Sequence, residues 1–257
     1  MYDPSSPMLR PANSSEGIPA PGAKARFAED RLLDAVIWCE IAPGEVVTEA
    51  DMMDRFGLTR SAARSGLMRL GYDGWAEPQP RTGWLILPIT GALIGQVLEA
   101  RRISEPALGL IRLDDDIRSE LQQMSGVMTA LAGRKEPSAM ASFRHYVDRI
   151  DGFLLQATNP FTARHLRKLW HHSARITHFL EDSKSEKLLH RDDIFELVRA
   201  LLAGDGEAVV KARHSLIDNQ EKFFLTQLLH DDTPLGSGSR TQSGTKPINT
   251  SNNRREI

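Results

Sequence analysis

Two arginines four residues apart, Arg60 and Arg64, stand in the run TRSAARSGLMRL that begins at Thr59. At helical pitch they share one face about a turn apart. Each guanidinium can donate two hydrogen bonds to O6 and N7 of a guanine, so an exposed pair of this kind suits the reading of base edges in a major groove. Thr59 at the helix start, followed by Ser61, offers a hydroxyl and open backbone amides to a phosphate. Arg69 falls off the Arg60/Arg64 face and reads as a flanking or phosphate contact. Between 55 and 84, five arginines (Arg55, Arg60, Arg64, Arg69, Arg81) stand against two acids (Asp73, Glu77), so charge is locally positive. An ordinary solvated helix face is the alternative reading of the arginines alone.

The elements that must hold this face are legible around it. Leu32, Leu33, Val36 and Ile37 recur at helical spacing and predict a first amphipathic helix. Ala42-Pro43-Gly44-Glu45 reads as a turn. Thr48 with Asp51 three residues on predicts a capped second helix through Met52, Met53 and Phe56, which Gly57 can end in a left-handed conformation. Thr59 caps the third helix, whose Ala63, Leu67 and Leu70 pack inward; Gly66 inside it is expected to cost about 1 kcal/mol relative to alanine. Trp75-Ala76-Glu77 and Trp84-Leu85-Ile86-Leu87 flank Pro80-Arg81-Thr82-Gly83, a hairpin signal. Three helices followed by a hairpin is the order of a winged helix-turn-helix.

The run from Ile41 to Ile86, IAPGEVVTEADMMDRFGLTRSAARSGLMRLGYDGWAEPQPRTGWLI, resembles the DNA-binding domain of GntR-family repressors. That family reads approximately L-x-P-G, a short helix, G-[VL]-[ST]-R-x-x-x-R-x-x-L-x-x-L, then x-G-[LW] and R-x-G in the wing. The resemblance places Thr59, Arg60 and Arg64 on the operator-facing positions, and Thr82 and Gly83 on a wing tip that enters the minor groove. Ala62 stands where a proline is common, Ser65-Gly66 replaces a usual Glu-Ala, and Ala50 sits where some members carry another arginine. These departures bear on the operator sequence more than on the fold.

The second half reads as six helical segments, about 91–111, 114–133, 138–158, 161–181, 187–203 and 206–230, broken at Gly133 with Pro137, at Asn159-Pro160 and at Gly204-Asp205-Gly206. Short connections predict an antiparallel bundle, so the expected class is mainly α: a winged helix-turn-helix followed by a six- to seven-helix bundle. This half resembles the all-helical effector domain of the FadR subfamily. The pieces that carry the likeness are EARRISE at 99–105, QATNP at 156–160 and AGDGEA at 203–208. The resemblance implies a central cavity for a small carboxylate effector and a homodimer on a palindromic operator. It also places Arg101 in that cavity, where a fork of donors suits a carboxylate. A surface ion pair of Arg101 with Glu105 or Glu99 is the alternative.

Many domains of this kind hold a divalent metal with an Asp-x-x-x-His pair and two later histidines. No histidine follows four residues after Asp148 or Asp151, and Ile194 and Leu216 stand where the later histidines belong. His190 and His214 lie off register. His171 and His178 share a face, and His172 lies beside them, but no third ligand is in register. Neither metal nor cofactor is expected.

The whole chain bounds these readings. Its 257 residues allow two small domains, expected over 27–90 and 91–232, between arms over 1–26 and 233–257 too polar to bury. A net charge of −2 means that any pull on DNA is local. One cysteine, Cys39, read on the apolar first helix, fits a reducing cytosol. No apolar stretch approaches a membrane span or a secretion signal, so a cytoplasmic place is expected. An enzyme would need a nucleophile with its base or a ligand set such as H-E-x-x-H, and none is present. A winged helix that binds protein instead of DNA is the other competing class; exposed arginines where apolar anchors would stand argue against it. The expected function is a DNA-binding regulator whose repression is relieved by the effector.

Overall fold

Polar residues one step ahead of the apolar repeat cap several helices of this chain. A computed structural model describes residues 22–134, 136–181 and 193–230. In its N-terminal part, α1 (Ala23–Ile37), α2 (Glu49–Phe56) and α3 (Arg60–Tyr72) are followed by β2 (Ala76–Gln79) and β3 (Gly83–Ile86), with a two-residue β1 (Val46–Val47) ahead of α2. Thr48 Oγ1 accepts from the Asp51 amide at 3.2 Å while Asp51 Oδ2 accepts from the Thr48 amide at 2.7 Å, a reciprocal cap for α2. Gly57 ends that helix at φ 64°, and Thr59 Oγ1 accepts from the Ala62 amide at 3.4 Å to begin α3. Leu32, Val36, Ile41, Met52, Leu67, Leu70, Trp75 and Ile86 close one core between the three helices and the sheet.

The sheet has the order β1-β3-β2, all antiparallel, with Val47 opposite Trp84 and Gln79 opposite Gly83. Gly66 and Gly83 are among the glycines that set close approaches. A Cβ on Gly66 would come within 2.7 Å of Leu32 Cδ1 and 3.3 Å of the Ala28 carbonyl oxygen, so α1 leans directly on α3 there. The glycine that looked like a helix defect in the sequence is a packing requirement. Gly83 sits at φ 130°, and a Cβ on it would lie 2.3 Å from the Val47 carbonyl oxygen.

The rest is a helical bundle: α4 (Gly91–Ser104), a 3₁₀ segment (Glu105–Leu110), α5 (Asp115–Leu131), α6 (Pro137–Ala157), α7 (Pro160–Leu180), α8 (Ile194–Ala203) and α9 (Gly206–His230). Thr90, Asp114, Asn159 and Asp205 supply side-chain oxygens to first-turn amides of α4, α5, α7 and α9. One cluster, including Leu121, Met128, Ile150, Leu154, Leu166, Leu197 and Val209, fills the space between α5, α6, α7, α8 and α9. A second, including Ile94, Leu98, Ile176, Leu180, Ile217 and Phe224, joins α4, α7 and α9. The class is therefore mainly α, a winged helix-turn-helix followed by a helical bundle.

Four sequence expectations change. Helix α1 begins at Ala23, inside the arm expected over 1–26; residues 1–21 and the tail from 231 lie outside the described residues. The helix expected over 91–111 ends at Ser104, because Pro106 has no N–H for the Arg102 carbonyl and its ring disfavours an α conformation at Glu105. That carbonyl instead accepts from His214 Nε2 at 3.4 Å. The segment expected over 187–203 is helical from Ile194, and 187–192, with His190, lie outside the described residues. Cys39 is not on α1: it follows the cap residue Trp38, at φ 56°.

Candidate nucleic-acid interface and ligand cavity

The capped start of α3 projects from the winged helix. Thr59, Arg60, Ser61 and Arg64 are all exposed, and Thr59 Oγ1 lies 3.3 Å from Ser61 Oγ. The first-turn amides of Arg60 and Ser61 have no acceptor within the helix, the arrangement that receives an anion. Arg64 is not a free reader in this state. Its Nε donates to Glu49 Oε1 of α2 at 2.7 Å, and these hydrogen bonds hold the carboxyl below its ordinary range.

The local excess of arginines resolves into pairs. Arg55 bonds Glu45 at 2.6 Å, and Arg69 bonds Asp73 at 2.7 Å while lying over Tyr72. Arg69, still half exposed, is held by this pair at the end of its own helix. Among the described residues only Arg60 and Arg81 of the five arginines make no ion pair. Arg81 stands at the exposed wing tip at φ 71°, beside Thr82, whose amide donates to the Gln79 carbonyl at 3.1 Å. Gly83 is not at the tip. It belongs to β3, pressed against Val47, and its place is structural. Composition alone did not single out Arg81 because the turn conformation that presents it is not written in its type.

A cavity of about 570 Å³ opens between α4, α6, α7, α9 and the end of α1. Arg101 lines it, and it is also ion-paired with Glu105; the alternative had named that partner but placed the pair on the helix surface, whereas both side chains are buried. Its Nε donates to Glu105 Oε1 at 2.5 Å, and one Nη1 donates to Ser173 Oγ at 3.0 Å and to Gln220 Oε1. Glu105 is fully buried and is shared with Arg213 of α9, whose Nε reaches its other oxygen at 2.6 Å. Trp170 Nε1 donates to Glu105 at 2.8 Å, the Arg213 guanidinium lies 4.7 Å over the Trp170 ring, and Arg213 Nη1 reaches Asp151 at 3.0 Å. Burial alone would raise Glu105, but Arg213 and Arg101 outweigh it and hold the carboxyl down at about 2. The network satisfies two buried guanidiniums with two carboxylates, which keeps the cavity wall rigid.

Arg213 and Trp170 escaped sequence reasoning, and Asp151 entered it only as a candidate metal ligand. One signal was present: Arg213 interrupts the apolar stripe Val209, Ala212, Leu216, where a charge needs a buried partner.

Helix α7 faces two ways. Ser173, Thr177, His171 and His178 line the cavity. His172 stacks on Trp75 of the winged helix at 3.9 Å between centroids, and His178 stacks on Trp38 at 4.0 Å. His178 Nδ1 donates to the Ile37 carbonyl at 2.9 Å. Arg175, 1% exposed, donates to the Leu87 carbonyl at 2.5 Å, while its Nε and Nη1 meet no acceptor among the described residues. Burial pushes Arg175 down to about 10 and His171 and His172 down to about 4. The Cys39 thiol, pushed up to about 11 by burial, donates to the Arg175 carbonyl at 3.7 Å.

Among the described residues no three His, Cys, Asp or Glu side chains are grouped to hold a metal ion. Ile194 and Leu216 are core residues. No described helix is long and apolar enough to cross a membrane.

No protein-family profile and no curated protein matches the sequence. Among solved structures, the chain is similar to E. coli McbR/YncC at 16% identity and a TM-score of 0.63, over 80% of this chain and 98% of that one. It is also similar to a Rhodococcus sp. RHA1 protein assigned as a GntR transcriptional regulator, at 17% identity and a TM-score of 0.58, over 79% and 98% of the two chains. At these identities the likeness establishes a shared fold.

Proposed function

We propose that this chain is a transcriptional regulator of the GntR family, FadR subfamily, in which residues 27–90 bind double-stranded operator DNA and residues 91–232 bind a small organic acid and dimerise. The carrying observation is the exposed start of α3, where Arg60 makes no ion pair among the described residues, beside a wing tip that presents Arg81 and Thr82. In this reading Arg60 meets a base edge, Thr59 and Ser61 hold a phosphate, Arg64 joins them on leaving Glu49, and Thr82 follows the minor groove, with Gly83 supporting the wing from behind. Two copies present two such helices to successive major grooves.

Arg101 anchors the effector's wall of the cavity. The effector works only if it binds the DNA-competent and DNA-incompetent arrangements with different affinity. Repression relieved by the effector is the sign we assign. The half-buried Cys39 thiol is pushed up to about 11, the opposite of the activation a cysteine nucleophile needs.

A second reading has one observation in its favour. Met68 and Tyr72, 57% and 86% exposed on the later turns of α3, could anchor a protein partner. Selection of the purified protein on a pool of randomised duplexes separates the two. Enrichment of a two-fold symmetric site supports the regulator, and an unenriched pool supports the adaptor.

A further inference from the structure

The cavity in the helical half is not walled by that half alone. Ile37 and Trp38, from the end of α1 in the winged helix, also line it. Trp38 remains 38% exposed although it stacks on His178, with ring planes 12° apart. Trp170, Phe153 and His171 bring further flat rings to the same space. Both signs of charge stand around them: the carboxylates Asp148, Asp151 and Glu181 line the cavity, Arg101 and Arg213 are paired with Glu105 and Asp151, and Arg167 has no ion pair among the described residues. A volume of about 570 Å³ falls in the range of roughly 300–1,000 Å³ typical of sites for drug-sized molecules. A four-carbon acid would leave most of it empty and would use none of the rings.

We infer that Trp38 is a ligand-contacting residue, and that the ligand is an organic anion with a planar aromatic body. The inference rests on the effector reading of this cavity and deepens it. The anionic group belongs beside the arginines, where charge-assisted hydrogen bonds are strongest. The flat body belongs against Trp38 and its neighbours, where ring stacking adds to simple burial. Such a ligand bears on α1 directly, and α1 leans on α3 where Leu32 meets Gly66. The signal then crosses one helix between ligand and DNA-reading face and does not have to pass through the bundle.

Three probe acids and two variants of the full chain test this by calorimetric titration: 2-naphthoate, its saturated counterpart decahydro-2-naphthoate, and succinate. The two ring acids match in charge and approximate size and differ in flatness. 2-Naphthoate should bind roughly two- to tenfold more tightly than the saturated acid. Trp38→Leu should abolish that preference and Trp38→Phe should keep most of it. Equal binding of the two ring acids, a preference for succinate, or an unchanged preference in Trp38→Leu would overturn the inference while leaving the effector reading in place. No heat from any acid, with a protein that still binds its DNA site, would overturn both.

Discussion

His178 lies flat against Trp38, with ring centroids 4.0 Å apart, so the helix that walls the cavity is also the helix that grips the winged unit. His172, six residues earlier on α7, makes the matching stack on Trp75. Between them the buried Arg175 reaches Leu87 at the start of the connection to α4. This junction joins the two halves through neutral histidine rings and one weakly compensated cation, and it is sensitive to charge.

A pH dependence follows from His172. Burial, helped by Arg175, Lys168 and His171, pushes it down to about 4 from an ordinary value near 6.5. The folded protein therefore keeps this ring neutral. Its contribution to stability is complete above about pH 6.5 and is lost as pH falls toward 4, amounting to about 2 kcal/mol by pH 5. Asp34, pushed up to about 6 by burial, changes stability in the opposite direction, so a variant must be compared with its parent. His172→Phe should lose less thermal stability than the parent between about pH 7 and pH 5. An equal loss in both would place the pH dependence elsewhere.

Glu49 restrains Arg64 at 2.7 Å. Glu49→Gln should release the guanidinium and strengthen DNA binding, with the slope of log affinity against log salt steeper by about one. Weaker binding in salt titrations of the variant would mean that Glu49 positions Arg64 for its contact.

Gly83→Ala should destabilise the winged unit by about 2–4 kcal/mol, since φ 130° is strained for alanine and the new methyl meets the Val47 carbonyl. Urea unfolding measures this. A loss below about 0.5 kcal/mol would show that β1 can move away freely.

The legible part of the fold was the part written over short distances. Thr48 with Asp51, Gly57, Thr59 and Asn159-Pro160 mark helix ends within a few residues of one another, and the structure places ends there. The strand at Val46–Val47 is too short to show a period, and it exists because β3 offers it a ladder. Leu108 and Leu110 continue the apolar spacing past Ser104, which hid the change that Pro106 imposes. In the candidate site, the Arg101–Glu105 pair lay at i,i+4 and was visible as an alternative. Arg64–Glu49 and Arg213–Glu105 join residues 15 and 108 positions apart, and only the packing of helices brings them together.

The buried network gives a further test. Arg213→Met leaves Asp151 without its guanidinium and Glu105 with Arg101 alone, and should cost about 3–5 kcal/mol. Adding Glu105→Gln should recover part of that loss, because the carboxylate left behind is what makes the single change costly. Additive losses in denaturant unfolding would contradict the coupling.

The central claim, that the start of α3 reads DNA sequence, is tested most directly by fluorescence anisotropy. The parent and Arg60→Ala are titrated against the duplex upstream of the chain's own gene and against a scrambled duplex. The account predicts tight binding of the parent to the upstream duplex only, weakened by about 1–3 kcal/mol in Arg60→Ala, with little change on the scrambled one. Equal binding to both duplexes that Arg60→Ala leaves untouched, or no binding to either by a folded protein, would contradict it.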